Sequence, residues 1–388
     1  MSKGLIFYTH ASNLCLAKNK FYRSLFKIIC SICLILGLSA CGDKVQEQAA
    51  NGKQTIKIGG IFSLSGPQAG QGEAAKAGML KALSERNQDD LHYNYEFVFE
   101  DNQGKLASTP AIANKMIVQD KVDGIAVLMS SFAKTIAPIT DANDKLLYSF
   151  SMEERDYKRF GKYAFVQGIS VEDMVDKMSD LQQKRNVDNV MFLVLNFGVQ
   201  PLIANYAKER YAQLGIKYEA EMFNPGERDF RIAIERGKAK GFTNFMMIGI
   251  MPECDIILKQ LLESGIPSKN IFAYSLVNGG LKDFYQGVES VSYDTGSRDF
   301  EKNLMSNYNL STTIGASAYY DMINITIEAY EDLYKEGGKP TAQEITDYIQ
   351  NKKSYKCMSG ICQVRDNGFI TNPPIYIVYR DGGWQKFD

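Results

Sequence analysis

Thr55-Ile56-Lys57-Ile58-Gly59-Gly60-Ile61-Phe62, running on through Ser63-Leu64-Ser65-Gly66-Pro67-Gln68-Ala69-Gly70-Gln71-Gly72, is the stretch whose reading decides the fold. Its first eight residues are nearly continuous apolar sequence, short enough for a strand and lacking the polar alternation of a half-solvated one. A glycine-rich turn then leads into residues 71–87, where Ala75, Met79 and Leu83 recur at helical spacing along one face. A strand buried on both sides and followed at once by an amphipathic helix is the repeating unit of a parallel sheet covered by helices.

The same unit recurs outward from this point. Strand patterns at 93–100, 124–128 and 145–149 alternate with helical patterns at 108–120 and 132–143, the first opened by Ser108-Thr109-Pro110. A second set follows Gly168. Helices at 171–185, 230–240 and 253–263, and one that buries Ile203, Ala207, Tyr211 and Leu214 and stops at Gly215 as its C-cap, alternate with strands at 189–195, 217–223, 244–248 and 270–274. Two such sets fit either two doubly wound domains or one eight-stranded barrel. Beyond residue 290 come helices at 299–308, 313–336 and 342–350, a cysteine-flanked hairpin, and strands at 375–380 and 384–387. A barrel complete by residue 290 has no use for that tail, whereas two lobes can share it, so the pattern favours two lobes.

The opposite end reads as an export signal. Lys18, Lys20, Arg23 and Lys27 precede an apolar run at 28–38 that closes in Leu38-Ser39-Ala40-Cys41. Basic segment, short apolar core and small-residue cleavage site form the layout of a secretory signal, and the run is too short for a mature membrane span. A plain cleavage site needs no cysteine, so Cys41 points to a lipoprotein signal at 1–40. The cysteine would be acylated, and residues 41–54 would form a polar tether. Gly42 and Asp43 after the cysteine leave inner and outer membrane both open.

Composition narrows the function. Without residues 1–40 the chain carries 39 basic and 45 acidic groups, a net charge of −6, which offers no footprint for nucleic acid. His10 leaves with the signal and His92 alone remains, at the start of a strand, so histidine-based metal sites and Ser-His-Asp or Cys-His catalysis are disfavoured. Asp89-Asp90 and Glu153-Glu154 are adjacent carboxylates that seldom converge on one substrate. The glycine-rich turn lacks the Gly-Lys-Ser/Thr ending of a phosphate loop. We therefore expect no enzyme, no cofactor and no metal. Cys357 and Cys362 flank Met358-Ser359-Gly360-Ile361, a tight turn, and either form a disulfide across a hairpin or stay as two half-buried thiols. Cys254 reads as a small buried hydrophobe.

Four segments carry a resemblance. Ile56 through Pro67, Asn224-Pro225-Gly226-Glu227-Arg228-Asp229-Phe230, Ala318-Tyr319-Tyr320-Asp321, and Ser359-Gly360 with Asp366-Asn367-Gly368 resemble landmarks of the type I periplasmic binding proteins. The likeness is to the branched-chain amino-acid receptor group of ABC importers, and it spans residues 55–380. It implies an α/β fold of two doubly wound parallel-sheet lobes joined by three hinge crossovers, with a ligand between them. The crossovers would lie near 168–171, 293–298 and 368–374. Residues 55–169 with 297–370 would make one lobe, and 170–296 with 371–388 the other.

By position, the resemblance implies that Ser130, Ser131, Ser151 and Glu153 hold a ligand's carboxylate and amino group. A helix N-cap is the competing reading of Ser130 and Ser131. Positions that are aromatic pocket walls in the family correspond to Gln71, Gln200 and Met251, and the second-lobe acid falls near Ser275 and Leu276, where no carboxylate stands. These departures imply a small polar, amino-acid-like ligand, with Glu153 supplying the missing charge. The expected function is a lipid-anchored solute-binding protein handing its ligand to an ABC permease. The alternative is a regulatory lipoprotein using the same fold for protein contact, as in activators of peptidoglycan synthases.

Overall fold

The computed structural model describes residues 52–151, 161–274, 282–292 and 298–388. The first sheet begins with β1 (Thr55–Phe62), β2 (Asn94–Asp101), β3 (Gly124–Val127), β4 (Leu146–Ser151) and β5 (Ala164–Gly168). Helices α1 (Ala69–Ser84), α2 (Thr109–Val118) and α3 (Ser130–Ala142) connect the first four. The second begins with β6 (Asn189–Leu195), β7 (Lys217–Phe223), β8 (Phe245–Ile248), β9 (Ile271–Tyr274) and β10 (Glu289–Ser292). It is served by α4 (Val171–Lys184), α5 (Gln200–Leu214), α6 (Arg231–Ala239) and α7 (Glu253–Glu263). The tail contributes α8 (Arg298–Tyr308), α9 (Ala316–Asp332) and α10 (Ala342–Lys352). Strands β11 (Ser354–Cys357), β12 (Gly360–Val364), β13 (Phe369–Thr371), β14 (Ile375–Arg380) and β15 (Gly383–Phe387) complete it.

Two sheets, and hence two lobes, result. Their strand orders are β11-β12-β13-β5-β4-β3-β1-β2 and β15-β14-β10-β9-β8-β6-β7. The five parallel strands that open each sheet run in the same order, with the second strand outside the first and the third inside it. The tail is divided: β13 pairs parallel with β5, and β14 antiparallel with β10. The two-lobe pattern expected from the sequence therefore holds, and the barrel does not form. Thr371 pairs with Gly168 in the first sheet, one residue past the lobe boundary placed at 370.

Strand β6 shows why these segments fold as they do. Val190, Phe192 and Val194 enter the core under α4 and α5, while Met191, Leu193 and Leu195 enter the core on the opposite face. Side chains alternate across a strand, so covering both faces demands apolar residues at every position.

Helix edges differ from the sequence reading by small amounts. Helix α1 starts at Ala69 rather than Gln71 and ends at Ser84 rather than Asn87, and α9 is shorter at both ends than the periodic stretch 313–336. Strands β5, β10 and β13 had no counterpart in the sequence reading. Each is three to five residues long and follows a loop or turn rather than a helix pattern.

Two passages between the sheets run side by side. Gly168 ends β5, and α4 begins three residues later with Ser170 Oγ accepting the Asp173 backbone N–H at 3.1 Å. Thr371, the register partner of Gly168, ends β13, and β14 begins at Ile375 in the other sheet. The chain is back in the first lobe a third time after β10, since α8 packs Phe300 and Leu304 against Ala74 and Ala77 of α1. Gly168 itself has no room for a side chain, since a Cβ there would stand 1.6 Å from the Ser151 carbonyl oxygen. We expect Gly168→Ala to destabilise the protein by about 1–3 kcal/mol through overpacking. Gly338→Ala, whose Cβ meets nothing within 4 Å, should change stability by less than about 0.5 kcal/mol. Chemical denaturation of both variants checks the contrast, and equal effects would contradict it.

Candidate functional site

In a doubly wound sheet a crevice opens at the carboxyl ends of the strands where the order reverses. The reversal falls between β1 and β3 in the first lobe and between β6 and β8 in the second. Helices α1, α3, α5 and α7 start from these same ends, so their unpaired backbone N–H groups gather there.

The first lobe's crevice is hydroxyl-rich and tightly braced. Ser63 is buried and donates to Asn102 Oδ1 at 3.0 Å. Asp101 accepts from the Leu64 N–H at 2.9 Å, Ser65 Oγ at 2.6 Å and the Gln103 N–H at 2.7 Å. Burial alone would push the Asp101 carboxyl up, but these donors hold it below the ordinary carboxylate value. Glycine at position 72 lets α1 settle onto this loop, because a Cβ there would meet the Ser63 carbonyl oxygen at 2.0 Å. Tyr319 on α9 donates between the carbonyls of Val127 and Leu128, at 2.5 and 2.8 Å, and so fixes the end of β3.

Ser130 and Ser151 meet at this point. Ser151 Oγ, at the end of β4, lies 3.5 Å from Ser130 Oγ at the start of α3. The capping position of α3 is Met129, with extended backbone and no side-chain cap, so Ser130 is the first helical residue and not an N-cap. Its hydroxyl and its backbone N–H therefore face the crevice end of the helix. Ser131 follows on the exposed side, and Gln71 lies half-buried in the first turn of α1. Glu153 and Ser275, like Leu276 and Cys41, fall outside the described residues.

The second lobe presents a different surface. Gln200 opens α5 half-buried, with Oε1 unpartnered among the described residues. Met251 is half-buried after β8 and packs on the core beneath. Sequence reasoning missed two neighbours. Phe197, two residues past β6, is 60% exposed, and Ile250, two past β8, is 39% exposed. A large apolar residue directly after a parallel strand was the available signal. Glu253 and Asp255 at the start of α7 point into the protein, accepting from the Gly226 N–H and Tyr285 Oη at 2.8 Å each. The crevice is thus polar and donor-rich on one lobe, apolar on the other.

Behind the crevice, the passages between lobes rest on a buried polar cluster. Asp321 and Gln167 are each 2% exposed, and Asp321 accepts the Met358 N–H at 2.8 Å and Gln167 Nε2 at 3.0 Å. Cys357 and Cys362 close the same cluster across the β11–β12 hairpin, their sulfurs at bonding distance, 2.07 Å. Together with Asp321 they are the one group of metal-type donors within 4.8 Å of each other among the described residues. Arg365, in the turn after β12, reaches Asp173 of α4 at 2.6 and 2.9 Å and so ties the two lobes. Cys254 is buried in the second-lobe core, where burial and then the neighbouring Asp255 and Glu253 push its thiol up to about 12. His92 is exposed, stacks on Tyr334 at 4.2 Å and pairs with Glu331 at 2.9 Å, a surface arrangement away from the crevice.

This architecture is that of a type I periplasmic binding protein. The family model described as "Periplasmic binding protein" matches residues 55–383, and the chain belongs to that family. Among solved structures, a putative branched-chain amino acid ABC transporter protein from Rhodospirillum rubrum is 15% identical with a TM-score of 0.73, covering 86% of this chain and 100% of its own. LivJ of Streptococcus pneumoniae, solved with isoleucine, is 20% identical with a TM-score of 0.64, covering 86% and 99%. A Rhodopseudomonas palustris solute-binding protein, solved with 3,4-dihydroxybenzoic acid, is 18% identical with a TM-score of 0.66, covering 86% and 97%. Comparison with curated protein sequences yields no match. No helix among the described residues is long and apolar enough to cross a membrane.

Burial pushes the Asp321 carboxyl up to about 7, against the smaller opposing effect of its Met358 and Gln167 donors. A carboxyl raised in the folded state stabilises the protein most when protonated. Its contribution is fully present below about pH 4 and is lost as pH rises to about 7. Asp321→Asn keeps an acceptor for Met358, and Gln167, whose Oε1 has no partner, can turn to accept from the new amide. We expect this variant to lose the stability slope between pH 4 and 7, up to about 1.4 kcal/mol per pH unit in the parent. Denaturant melts across that range check it, and an unchanged slope would contradict the assignment.

Proposed function

We propose that this protein is the solute-capturing component of an ABC importer. It takes a small carboxylate-bearing, amino-acid-like ligand between its lobes and delivers it to a permease. The observation that carries this reading is the Ser130–Ser151 pair at the first-lobe switch point, beside the start of α3. Two hydroxyls and helix N–H groups with no acidic residue in the first turn form an acceptor-poor, donor-rich seat suited to a carboxylate. Phe197, Ile250 and Met251 supply an apolar surface for the body of the ligand, and Glu153 is assigned to a ligand ammonium group. Relatives of the same fold solved with isoleucine and with a dihydroxybenzoate support a ligand that joins a carboxylate to an apolar or aromatic body. The lobes are taken as residues 55–169 with 297–370 and 170–296 with 371–388, closing about the three passages.

The test is a thermal-shift panel on the full-length protein with amino acids, aromatic carboxylates, short peptides, polyamines and sugars. A ligand at a hundred times its dissociation constant adds about 2.7 kcal/mol of stability. Ser130→Ala and Ser151→Ala should each weaken a carboxylate ligand by roughly tenfold or more, the scale of a lost hydrogen bond to a charged group. Glu153→Ala should abolish binding of zwitterions while sparing plain carboxylates. An empty panel from ligand-free protein would sink the solute reading and favour a protein-contact role.

We further propose that Cys41 is the acylated first residue of the exported protein and that Cys357 and Cys362 form a disulfide. One intact mass of the membrane-extracted protein tests both. It should lack residues 1–40, carry added acyl mass, and gain two hydrogens on reduction. Cys41→Ala should release the protein from membranes, and a variant still fractionating with membranes would contradict the anchor.

A further inference from the structure

On the second lobe, with β10 and β9 between it and the β6–β8 switch point, an open pocket of about 360 Å³ is lined by α4 and the β14–β15 hairpin. Tyr376 and Phe387, register partners on the two strands, stack at 5.6 Å to form its floor. Lys177 and Lys184 lie two helical turns apart on one face of α4, their ammonium groups 4.1 and 5.0 Å from the Tyr376 ring centre. Lys386 on β15 completes the cationic lining.

None of these three lysines makes an ion pair or hydrogen bond among the described residues, although acidic residues are close by in sequence. Two arginines contact those acids instead, Arg210 being shared by two of them. Asp173 is held by Arg365 at 2.6 Å, Asp176 by Arg210 at 3.0 Å, and Asp180 by Arg210 at 3.4 Å. Arg185 next to the pocket is itself spent on Glu289, at 2.6 Å. Asp388 is the one acidic residue in the lining. Three lysines thus share one concavity with a single acidic side chain, an excess of positive charge.

We propose that this pocket binds a phosphoryl group, as a site separate from the cleft. Lysines act as point charges and match a compact oxyanion with oxygens on several sides, whereas a planar carboxylate is better matched by the arginine fork. The lining contains lysines and no arginine. The volume exceeds that of a phosphate, leaving space for the group that bears it, against the aromatic floor. A soluble phosphate ester and an anionic phospholipid headgroup share this chemistry.

The experiment uses full-length protein and two probes. Glycerol 3-phosphate is titrated calorimetrically, and vesicles of phosphatidylglycerol in phosphatidylcholine are co-sedimented against pure phosphatidylcholine vesicles. The Lys177→Gln/Lys184→Gln/Lys386→Gln variant should bind at least roughly tenfold more weakly, and Asp388→Asn should bind more tightly. Binding should also fall with added salt. The triple variant must retain the parent's melting temperature and its response to any cleft ligand, which separates failure here from failure of the cleft reading. Lysine-dependent binding of glycerol 3-phosphate identifies a soluble source, and lysine-dependent binding of phosphatidylglycerol vesicles alone identifies a lipid. If neither probe binds, or if binding survives the triple substitution in a protein that melts normally, the proposal is overturned.

Discussion

A parallel strand can return to its own sheet only through a crossover, and that constraint governs where this protein can do chemistry. The crossovers that follow β1, β2, β3, β6, β7 and β8 are helices, each starting near the carboxyl end of one strand and finishing near the amino end of the next. Strand ends and helix starts therefore collect on one edge of each sheet. The order reversal between β1 and β3, and again between β6 and β8, parts two neighbouring helices and leaves the crevice. Ser130, Ser151, Phe197 and Ile250 are at the crevice because of topology, not because their neighbours in sequence direct them there.

The tail turns two such sheets into one machine. By placing β13 beside β5 and β14 beside β10, it makes each lobe depend on residues far away in the chain. Asp321 is the anchor of that arrangement. One carboxylate oxygen holds the hairpin through Met358, and the other holds β5 through Gln167, the residue before Gly168. Burying a carboxylate is costly, and the two donors offset that cost only in part, which leaves the Asp321 carboxyl raised. The adjoining passages are stiffened rather than loose, with Gly168 pressed against Ser151 and Arg365 locked to Asp173. Gly168 thus links the first passage to a serine of the crevice, so the site and the hinge share a contact.

Much of the fold was legible because burial on two faces leaves a plain mark. Strands such as β1, β6 and β7 stand out as short apolar or alternating runs between periodic helices. The missed strands β5, β10 and β13 are brief, and their pairing depends on partners a long way off in sequence, which no local pattern records. The crevice was legible in part. Ser130 and Ser151 could be named by position, but their 3.5 Å approach depends on adjacent parallel strands lying in register. Phe197 and Ile250 were overlooked because an apolar residue after a strand looks like more core until its exposure is known. Asp321 stood inside a recognisable segment, yet its role rests on Gln167 and Met358, 154 and 37 residues away.

Charge placement separates the two ligand surfaces on physical grounds. The first-lobe crevice offers neutral donors, hydroxyls and helix N–H groups, whose effect on an anion is local and directional. The lysine pocket attracts one with full charges, which act at longer range and are screened by salt. Arginines contact the acids of α4 and so lessen their pull on the lysines. One of these arginines, Arg365, comes from the other lobe. Asp173 lies one turn before Lys177 on the same helix, so the ion pair that ties the lobes also keeps a carboxylate engaged away from the lysines.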